Sequence, residues 1–404
     1  MPNFSGVWSL SSQLQAIGDQ TWPMSPAAPT SVSAAAGNTQ VTISFSAPSF
    51  EGIPTPITGY LATSTPGDFT ATGSSSPLTV TGLTNGTAYT FGVQATNAVG
   101  YGAAGTSGSV SPAAPRAVVA GGRPQAGSPL NTIQYVSLGT SGNFSDFGDL
   151  TKSFEQAGAA ASTTRAVFPD STDGDSNVIN YITMATTGNA TDFGDMTTNL
   201  MGVVSSMSSS TRGVFHSEWK PANTDLMEYI TIATTGNSAN FGNLDVGVQD
   251  ATGCSSPTRG LVAGGRSGGA VDNIQYITIA STGNATDFGS LLASNYFMGA
   301  LSSNTRGVFG GGDSSGVTNV IQYVTIASTG NATDFGDLTT ARASLCGTSN
   351  GTLGIFCGGE APSAVTNSVE KITIATTGNA TDFGDLFLGV EGAGATSSAH
   401  GGIS

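Results

Sequence analysis

The feature that most constrains this chain is a short motif that recurs six times at an almost constant spacing. Each copy centres on Asp-Phe-Gly or Asn-Phe-Gly, and the phenylalanines are Phe147, Phe193, Phe241, Phe288, Phe335 and Phe383. Subtracting successive positions gives steps of 46, 48, 47, 47 and 48 residues. A period this regular over six copies indicates a repeat architecture in which each copy builds one structural unit.

Each repeat contains four short runs of β-forming residues. In the copy around Phe335 these runs are residues 306–309, 321–327, 334–338 and 343–348, separated by clusters of Gly, Asn, Ser and Thr. That pattern predicts strands and turns. Four strands in about 47 residues is the size of a propeller blade. The sequence therefore predicts an all-β fold with a six-bladed β-propeller over residues 113–404.

The order of the runs predicts how such a ring closes. The first repeat begins at residues 116–122, which match the second strand of a repeat, and the last repeat ends near residues 392–398, which match the first strand. We therefore expect these two segments to lie in one sheet and to tie the two ends of the repeat region together.

The repeat region resembles kelch-type propellers, because a glycine pair follows a hydrophobic strand in four of the repeats. These pairs are Gly121 and Gly122, Gly264 and Gly265, Gly310 and Gly311, and Gly358 and Gly359. The second and third repeats depart from the pattern, with Pro169-Asp170 and His216-Ser217 in place of the glycines. Family blades also commonly carry tryptophan where this chain has the phenylalanine of Asp-Phe-Gly.

Residues 26–112 have the pattern of a β-sandwich. Alternating apolar residues at 41–48 and a run at 78–83 precede a further strand pattern at 89–97. This stretch resembles a fibronectin type III domain. The resemblance implies a corner in which the Tyr89 hydroxyl bonds to the upstream main chain, and it places Phe45 where the family commonly has tryptophan.

Residues 1–25 are too short to fold alone, yet they carry large apolar side chains. Ser9 is a candidate cap for a short helix. The apolar residues expected to dock on a partner are Trp8, Leu10, Leu14, Ile17 and Trp22. The alternative is that they pack back on the following domain. The motif Gly-Val-Trp-Ser-Leu, followed by Gln-Leu-Gln-Ala and Thr-Trp-Pro, resembles the N-terminal tag of virion proteins of tailed bacteriophages, particularly those that infect cyanobacteria.

Composition argues against several classes of function. The net charge of −15 argues against nucleic acid as a partner, since phosphate binding needs clustered Lys and Arg. No apolar run is long enough to span a membrane, so we expect no membrane insertion. With only two histidines and no motif of catalytic spacing, we expect no enzymatic activity, no cofactor and no metal centre. Cys346 and Cys357 fall on successive predicted strands. They are either buried free thiols or partners in a disulfide.

Two repeated features each have two interpretations. The repeated Asn and Asp residues around Asp-Phe-Gly either set tight turns through main-chain hydrogen bonds or hold calcium. Five arginines share one repeat position, namely Arg116, Arg165, Arg212, Arg259 and Arg306. They either pair with repeat aspartates on neighbouring blades or form an anion-binding ring.

Loops that break the repeat pattern are the candidates for recognition. In the second repeat the candidates are Asp170, Asp173 and Asp175, and in the third they are His216, Glu218, Trp219 and Lys220. A large aromatic side chain beside charged groups is typical of a glycan or protein contact. We expect these two loops to form a binding edge for a host-surface glycan or protein, or for an adjoining virion subunit.

The resemblance of residues 1–25 to the virion tag, taken with these patterns, implies a structural protein of a tailed-bacteriophage virion, made in the host cytoplasm and displayed on the particle as part of a tail fibre, baseplate or capsid. Residues 1–25 would bind other virion proteins, and the blades would serve host adhesion or assembly. The alternatives are an intracellular kelch-like interaction scaffold and a propeller enzyme that processes glycans. Assembly as a homo-oligomer is left open.

Overall fold

The computed structural model describes residues 9–18, 22–53, 56–156, 158–170, 176–200, 202–218 and 225–399. The chain divides into two compact units, Met1–Ala114 and Pro115–Ser404. The sequence prediction places this boundary two residues earlier, between 112 and 113. Within the described residues, no helix is both long enough and apolar enough to cross a membrane.

The first unit is a short helix followed by a β-sandwich. The helix α1 spans Leu10–Gly18. The strands described in this unit are β1 (Thr30–Gly37), β2 (Gln40–Ser46), β3 (Gly59–Thr65), β4 (Thr70–Gly73), β5 (Leu78–Thr81), β6 (Thr90–Asn97) and β7 (Gly100–Thr106). They form a three-stranded sheet of order β1-β2-β5 and a four-stranded sheet of order β4-β3-β6-β7.

The sandwich core comes from strict alternation along its strands. Val41, Ile43 and Phe45 of β2 are buried, and the residues between them face outward. The Phe45 ring lies 4.8 Å from the ring of Tyr60, centroid to centroid, so phenylalanine fills the position where tryptophan is common. The predicted corner is confirmed, because the Thr84 N–H donates to the Tyr89 hydroxyl at 3.2 Å.

The second unit is built of short antiparallel strands. The first half comprises β8 (Arg116–Ala120), β9 (Leu130–Ser137), β10 (Ser145–Phe154), β11 (Ala160–Ala161), β12 (Arg165–Pro169), β13 (Ser176–Thr183), β14 (Thr191–Leu200), β15 (Gly202–Ser208), β16 (Arg212–Glu218), β17 (Leu226–Thr231) and β18 (Ala239–Asn243). The second half comprises β19 (Thr252–Ser255), β20 (Arg259–Ala263), β21 (Asn273–Thr278), β22 (Thr286–Ser290), β23 (Gly299–Ser302), β24 (Arg306–Gly310), β25 (Val320–Thr325), β26 (Thr333–Asp337), β27 (Cys346–Ser349), β28 (Leu353–Cys357), β29 (Glu360–Ala361), β30 (Ala364–Val365), β31 (Ser368–Thr373), β32 (Thr381–Asp385) and β33 (Gly394–Ser397).

These strands form six four-stranded antiparallel sheets in the described part of the unit. We number the sheets by their position along the chain. Within each sheet, the strand that contacts its counterparts in the neighbouring sheets is called the central strand and the strand at the opposite edge the outer strand. From central to outer strand the sheets are sheet 1 (β33-β8-β9-β10), sheet 2 (β11-β12-β13-β14), sheet 3 (β15-β16-β17-β18), sheet 4 (β19-β20-β21-β22), sheet 5 (β23-β24-β25-β26) and sheet 6 (β27-β28-β31-β32). Strands β29 and β30 form a separate hairpin. The four strands predicted around Phe335 match β24 to β27, shifted by three residues or fewer at each end.

Sheet 1 is assembled from two distant parts of the chain. Strand β33 pairs with β8 from Gly394 opposite Ala120 to Ser397 opposite Ala117. The pairing continues past the strand ends, since the Arg116 N–H donates to the Ser398 hydroxyl at 2.9 Å. The prediction that residues 116–122 and 392–398 lie in one sheet is therefore confirmed.

The central strands of the six sheets contact one another in a cycle. Each of β15, β19, β23 and β27 contacts the central strand before and after it, and β33 contacts both β27 and β11. Small residues permit this closeness: a Cβ on Gly347 would lie 2.4 Å from the carbonyl oxygen of Ala300. Serine hydroxyls add links, because Ser255 Oγ donates to Ser208 O at 3.0 Å and Ser302 Oγ to Ser255 O at 2.7 Å.

The hydrophobic core lies between adjacent sheets. One buried cluster joins Leu261 and Phe288 of sheet 4 to Phe309 of sheet 5. An equivalent cluster joins Phe383 of sheet 6 to Val119 of sheet 1. Because both faces of each sheet are covered in this way, the strands carry apolar residues on both sides.

Removing β33 should destabilise the second unit strongly. A chain ending at Ala393 leaves β8 without its central neighbour and exposes the apolar residues that β33 covers. A chain ending at Ala399 keeps β33 and is the matched control. We expect a clear fall in the unfolding temperature of the second unit only for the shorter chain, measured by calorimetry. Equal unfolding temperatures in the two chains would contradict the importance of this pairing.

Candidate functional site

The repeated Gly-Asn-Ala-Thr-Asp-Phe-Gly sequence joins each sheet to the one before it. Between sheets 4 and 5, the Gly330 N–H donates to Phe288 O at 2.8 Å, and Asn331 Oδ1 accepts from the Ser290 N–H at 3.1 Å. Gly289 has a φ of +147°, and a Cβ there would lie 2.5 Å from Gly330 O. The glycine of Phe-Gly is therefore required for this approach. We call this set of contacts the Gly-Asn clasp.

The Gly-Asn clasp occurs at all six junctions between sheets. The residues that contact the preceding sheet are Gly142 and Asn143, Gly188 and Asn189, Gly236 and Asn237, Gly283 and Asn284, Gly330 and Asn331, and Gly378 and Asn379. The first of these pairs binds Phe383 and Asp385, so the junction between sheets 6 and 1 has the same clasp as the others. The asparagines do bind main-chain amides as predicted, but those amides belong to the neighbouring sheet.

The repeated arginines also connect sheets. Arg165 Nη1 donates to Ile232 O of the next sheet at 2.9 Å, and its guanidinium carbon lies 4.3 Å from the centroid of the Tyr181 ring. The same arrangement is found for the pairs Arg116 and Tyr135, Arg212 and Tyr229, Arg259 and Tyr276, and Arg306 and Tyr323. None of these five arginines forms an ion pair with a described residue, so the predicted pairing with repeat aspartates is wrong. The Nη1 atom of each of these guanidinium groups donates to a carbonyl, and each group lies over a tyrosine ring; the anion-binding ring stays a prediction.

The junction between sheets 6 and 1 lacks this arginine–tyrosine pair. Leu353 occupies the arginine position and Lys371 the tyrosine position, as the strand registers show. The carbonyl of Leu138, which corresponds to that of Ile232, accepts instead from Asn350 Nδ2 at 3.3 Å. Lys371 Nζ donates to Ser141 Oγ of sheet 1 at 2.7 Å.

A pocket of about 380 Å³ lies at this substituted junction. Its lining includes Leu353, Lys371, Thr376 and Asn379 of sheet 6 and residues 139–141 of sheet 1. We call it the junction pocket. It lies on the face of the unit that carries the turns between third and fourth strands. The ends of β12 and β16 that precede the divergent segments in the sequence lie at the opposite ends of the strands from those turns.

The structure corrects two of the predicted binding residues. Asp170 is fully buried, and its N–H donates to Val178 O at 2.8 Å. His216 is fully buried within β16, opposite Met227. Asp170 directly follows β12, whereas His216 lies within β16, and both take positions that are mostly small residues in the other repeats. Because both are buried, neither side chain lies on a binding surface. Asp173, Asp175, Trp219 and Lys220 lie outside the described residues, as does the side chain of Glu218.

The predicted docking residues are partly described. The cap is confirmed, because Ser9 Oγ accepts from the Ser12 N–H at 3.2 Å. Leu10 and Leu14 of α1 are 73% and 62% exposed. Trp22 is partly buried, and its main-chain N–H donates to the Ala16 carbonyl oxygen at 3.0 Å. Trp8 lies outside the described residues, and so does the side chain of Ile17.

A buried polar residue in the third strand of each sheet forms a further link to the preceding sheet. Gln275 Oε1 accepts from the Val246 N–H at 2.9 Å, and Glu370 Oε2 accepts from the Thr339 N–H at 2.7 Å. The corresponding residues in the other sheets are Gln134, Asn180, Glu228 and Gln322. Glu228 has no cationic partner among the described residues, and burial raises its pKa against the opposing effect of the Thr197 N–H.

Glu370 forms a buried ion pair that the sequence analysis missed. Arg342 Nη2 lies 3.2 Å from Glu370 Oε1, and the two side chains are 0% and 1% exposed. Burial lowers the pKa of Arg342, and the charge of Glu370 opposes that shift. The only signal in the sequence is that Arg342 falls outside the repeated arginine position.

The cysteines do not form a disulfide. Cys346 and Cys357 lie opposite one another on β27 and β28 as free thiols, and Cys346 Sγ donates to Cys357 O at 3.6 Å. Burial raises the pKa of the Cys254 thiol to about 12. No cluster of three or more His, Cys, Asp or Glu side chains suited to a metal ion is found among the described residues.

Comparison with known proteins identifies the first unit. The family model described as fibronectin type III domain matches residues 27–111. This confirms the prediction made for residues 26–112, and it agrees with the seven-stranded sandwich described above. No curated protein matches the chain.

The two buried glutamates should respond oppositely to the same substitution. A carboxyl whose folded pKa is raised contributes stability below its ordinary pKa of about 4.3, and this contribution is lost as pH rises through the folded pKa. Glu228→Gln should therefore stabilise the second unit at pH 7.5, with a gain that shrinks toward pH 4. Glutamine already occupies this position in three other sheets, at Gln134, Gln275 and Gln322.

The matched variant Glu370→Gln should instead destabilise the unit by about 3 kcal/mol at pH 7.5, because it leaves Arg342 buried without its counter-ion. Denaturant unfolding of the full chain at both pH values measures the two effects. A loss of stability in Glu228→Gln at pH 7.5, or a gain in Glu370→Gln, would contradict this account.

Proposed function

We propose that residues 115–404 form a closed six-bladed β-propeller of kelch-like construction. Four observations support this: six four-stranded sheets, a cycle of contacts between central strands, the pairing of β33 with β8, and a Gly-Asn clasp at every junction. The kelch-like glycine pair has a packing role here. Gly311 has a φ of +68°, and a Cβ there would lie 2.5 Å from Arg342 O.

We further propose that the chain is a structural protein of a tailed-bacteriophage virion, displayed on the particle and acting in host adhesion or in assembly. The observation that carries this proposal is the capped helix α1, which holds Leu10 and Leu14 exposed at the N-terminal end of a fibronectin type III domain. Exposed apolar side chains on a regular helix suit a partner surface. The tag-like sequence of residues 1–25 makes another virion protein the proposed partner.

In this proposal the two folded units act as a spacer and a display platform. Their stability comes from main-chain clasps and buried cores, and the proposal assigns no catalytic residue. The segments that break the repeat pattern, residues 170–177 and 216–223, belong to neighbouring repeats. They remain the proposed contact with a host-surface glycan or protein, or with an adjoining virion subunit.

Docking through α1 is tested by making its exposed face polar. The double variant Leu10→Ser with Leu14→Ser should greatly reduce the amount of this protein in purified particles, because the apolar contact is lost. Both units should unfold at their normal temperatures. The control is Gln15→Ser, an exposed position of the same helix. Quantitative mass spectrometry of the particles gives the copy number, and a normal copy number for the double leucine variant would overturn the proposal.

Recognition by the divergent loops is tested separately. Trp219→Ala with Lys220→Ala removes the aromatic surface and the positive charge from one loop. We expect weaker adsorption to host cells, or altered particle composition, with an unchanged unfolding temperature. Normal adsorption together with normal particle composition would show that these loops are surface variation only.

A further inference from the structure

The junction pocket exists because one junction carries different side chains. At each of the other five junctions, an arginine lies over a tyrosine ring and reaches a carbonyl of the next sheet. At the junction between sheets 6 and 1, Leu353 is shorter than arginine and Lys371 is narrower than tyrosine. The Gly-Asn clasp is retained there. The sheets therefore stay at their normal separation while the space between them is emptied.

The polar lining of the junction pocket has one charge and many hydroxyl groups. Lys371 is the only charged residue in the lining that the structure describes, and it is partly buried. One of its three ammonium protons is used by Ser141 Oγ. Six lining residues are serine or threonine, including Thr140 and Thr376, and Asn379 adds an amide. This set can exchange hydrogen bonds with several ligand hydroxyls and neutralise one negative charge.

The apolar lining and the size narrow the ligand further. Leu353 and Ile372 supply carbon surface beside the hydroxyl groups, which suits the C–H face of a sugar ring. The volume of about 380 Å³ lies near the small end of the ~300–1,000 Å³ range of small-ligand pockets. A multiply charged phosphate would leave the apolar lining without a contact and would carry more negative charge than the single ammonium group can neutralise. A neutral sugar would leave the ammonium group without a counter-ion.

We propose that the junction pocket binds one carboxylated sugar unit, such as a hexuronic acid, with Lys371 pairing with its carboxylate and the serine and threonine hydroxyls binding its ring hydroxyls. The proposal goes beyond the display function and does not depend on where the chain sits in a particle.

The test is titration of the purified full chain with sodium glucuronate, followed by ligand-observed NMR and calorimetry, with glucose and inorganic phosphate as comparison probes. We expect glucuronate to bind more tightly than either. Lys371→Ala should weaken glucuronate binding about tenfold or more, the loss typical of a charge-assisted hydrogen bond. Lys152→Ala removes the same charge from an exposed position outside the pocket and should leave binding unchanged.

A second variant tests the pocket without relying on a deletion. Leu353→Arg with Lys371→Tyr rebuilds the pair found at the other five junctions, so it should fold with an unfolding temperature at least equal to that of the natural chain. It should also abolish glucuronate binding by filling the space. Absence of glucuronate binding to the natural chain, equal binding to the refilled variant, or tighter binding of phosphate than of glucuronate would each overturn the proposal.

Discussion

The structure of the second unit depends on the main-chain approach between one sheet and the next at Phe-Gly. At each junction the glycine brings a strand close to the Gly-Asn turn of its neighbour, and three hydrogen bonds follow. Between sheets 4 and 5 they are Gly330 N–H to Phe288 O, Ala332 N–H to Ser290 O at 2.8 Å, and Ser290 N–H to Asn331 Oδ1. A residue with a side chain cannot occupy the glycine position, because its Cβ would overlap the neighbouring turn. The asparagine of that turn supplies the side-chain oxygen that accepts a main-chain N–H. This single constraint explains why Gly-Asn and Phe-Gly recur in all six repeats while the surrounding loops differ.

Because the clasp uses so few side chains, the rest of each junction is free to change. Five junctions add an arginine stacked on a tyrosine, and one replaces both residues while keeping the same separation between sheets. The buried third-strand position varies in the same way, from glutamine to an ion-paired glutamate and a glutamate without a cation among the described residues. Side chains therefore differ between junctions at positions where a substitution leaves the contact between the sheets intact.

Much of the fold can be predicted from the sequence, because strand patterns and the repeat period are visible in short stretches of residues. The period located the outer strands, the order of runs predicted the pairing of β8 with β33, and alternation identified the fibronectin type III sandwich. Contacts between repeats are harder to predict from the sequence. The amide that binds Asn331 lies in the preceding repeat, and spacing alone does not show which groups meet. Burial of a polar residue is also not visible in the sequence, which predicts Asp170 and His216 as binding residues in loops although both are buried. The pair of Arg342 and Glu370 was missed for the same reason.

Sheet 1 has a consequence for the order in which the chain folds. Its second strand, β8, is synthesised before its central strand, β33. β8 ends at Ala120 and β33 begins at Gly394, so 273 residues lie between the two strands. Until β33 emerges from the ribosome, Val119 and its apolar neighbours have no central strand to cover them. The contact that completes the unit has a high sequence separation, and such contacts slow folding. A nascent chain would therefore carry an exposed strand edge while the five other sheets are synthesised, a state in which pairing with another chain competes with completion of its own sheet.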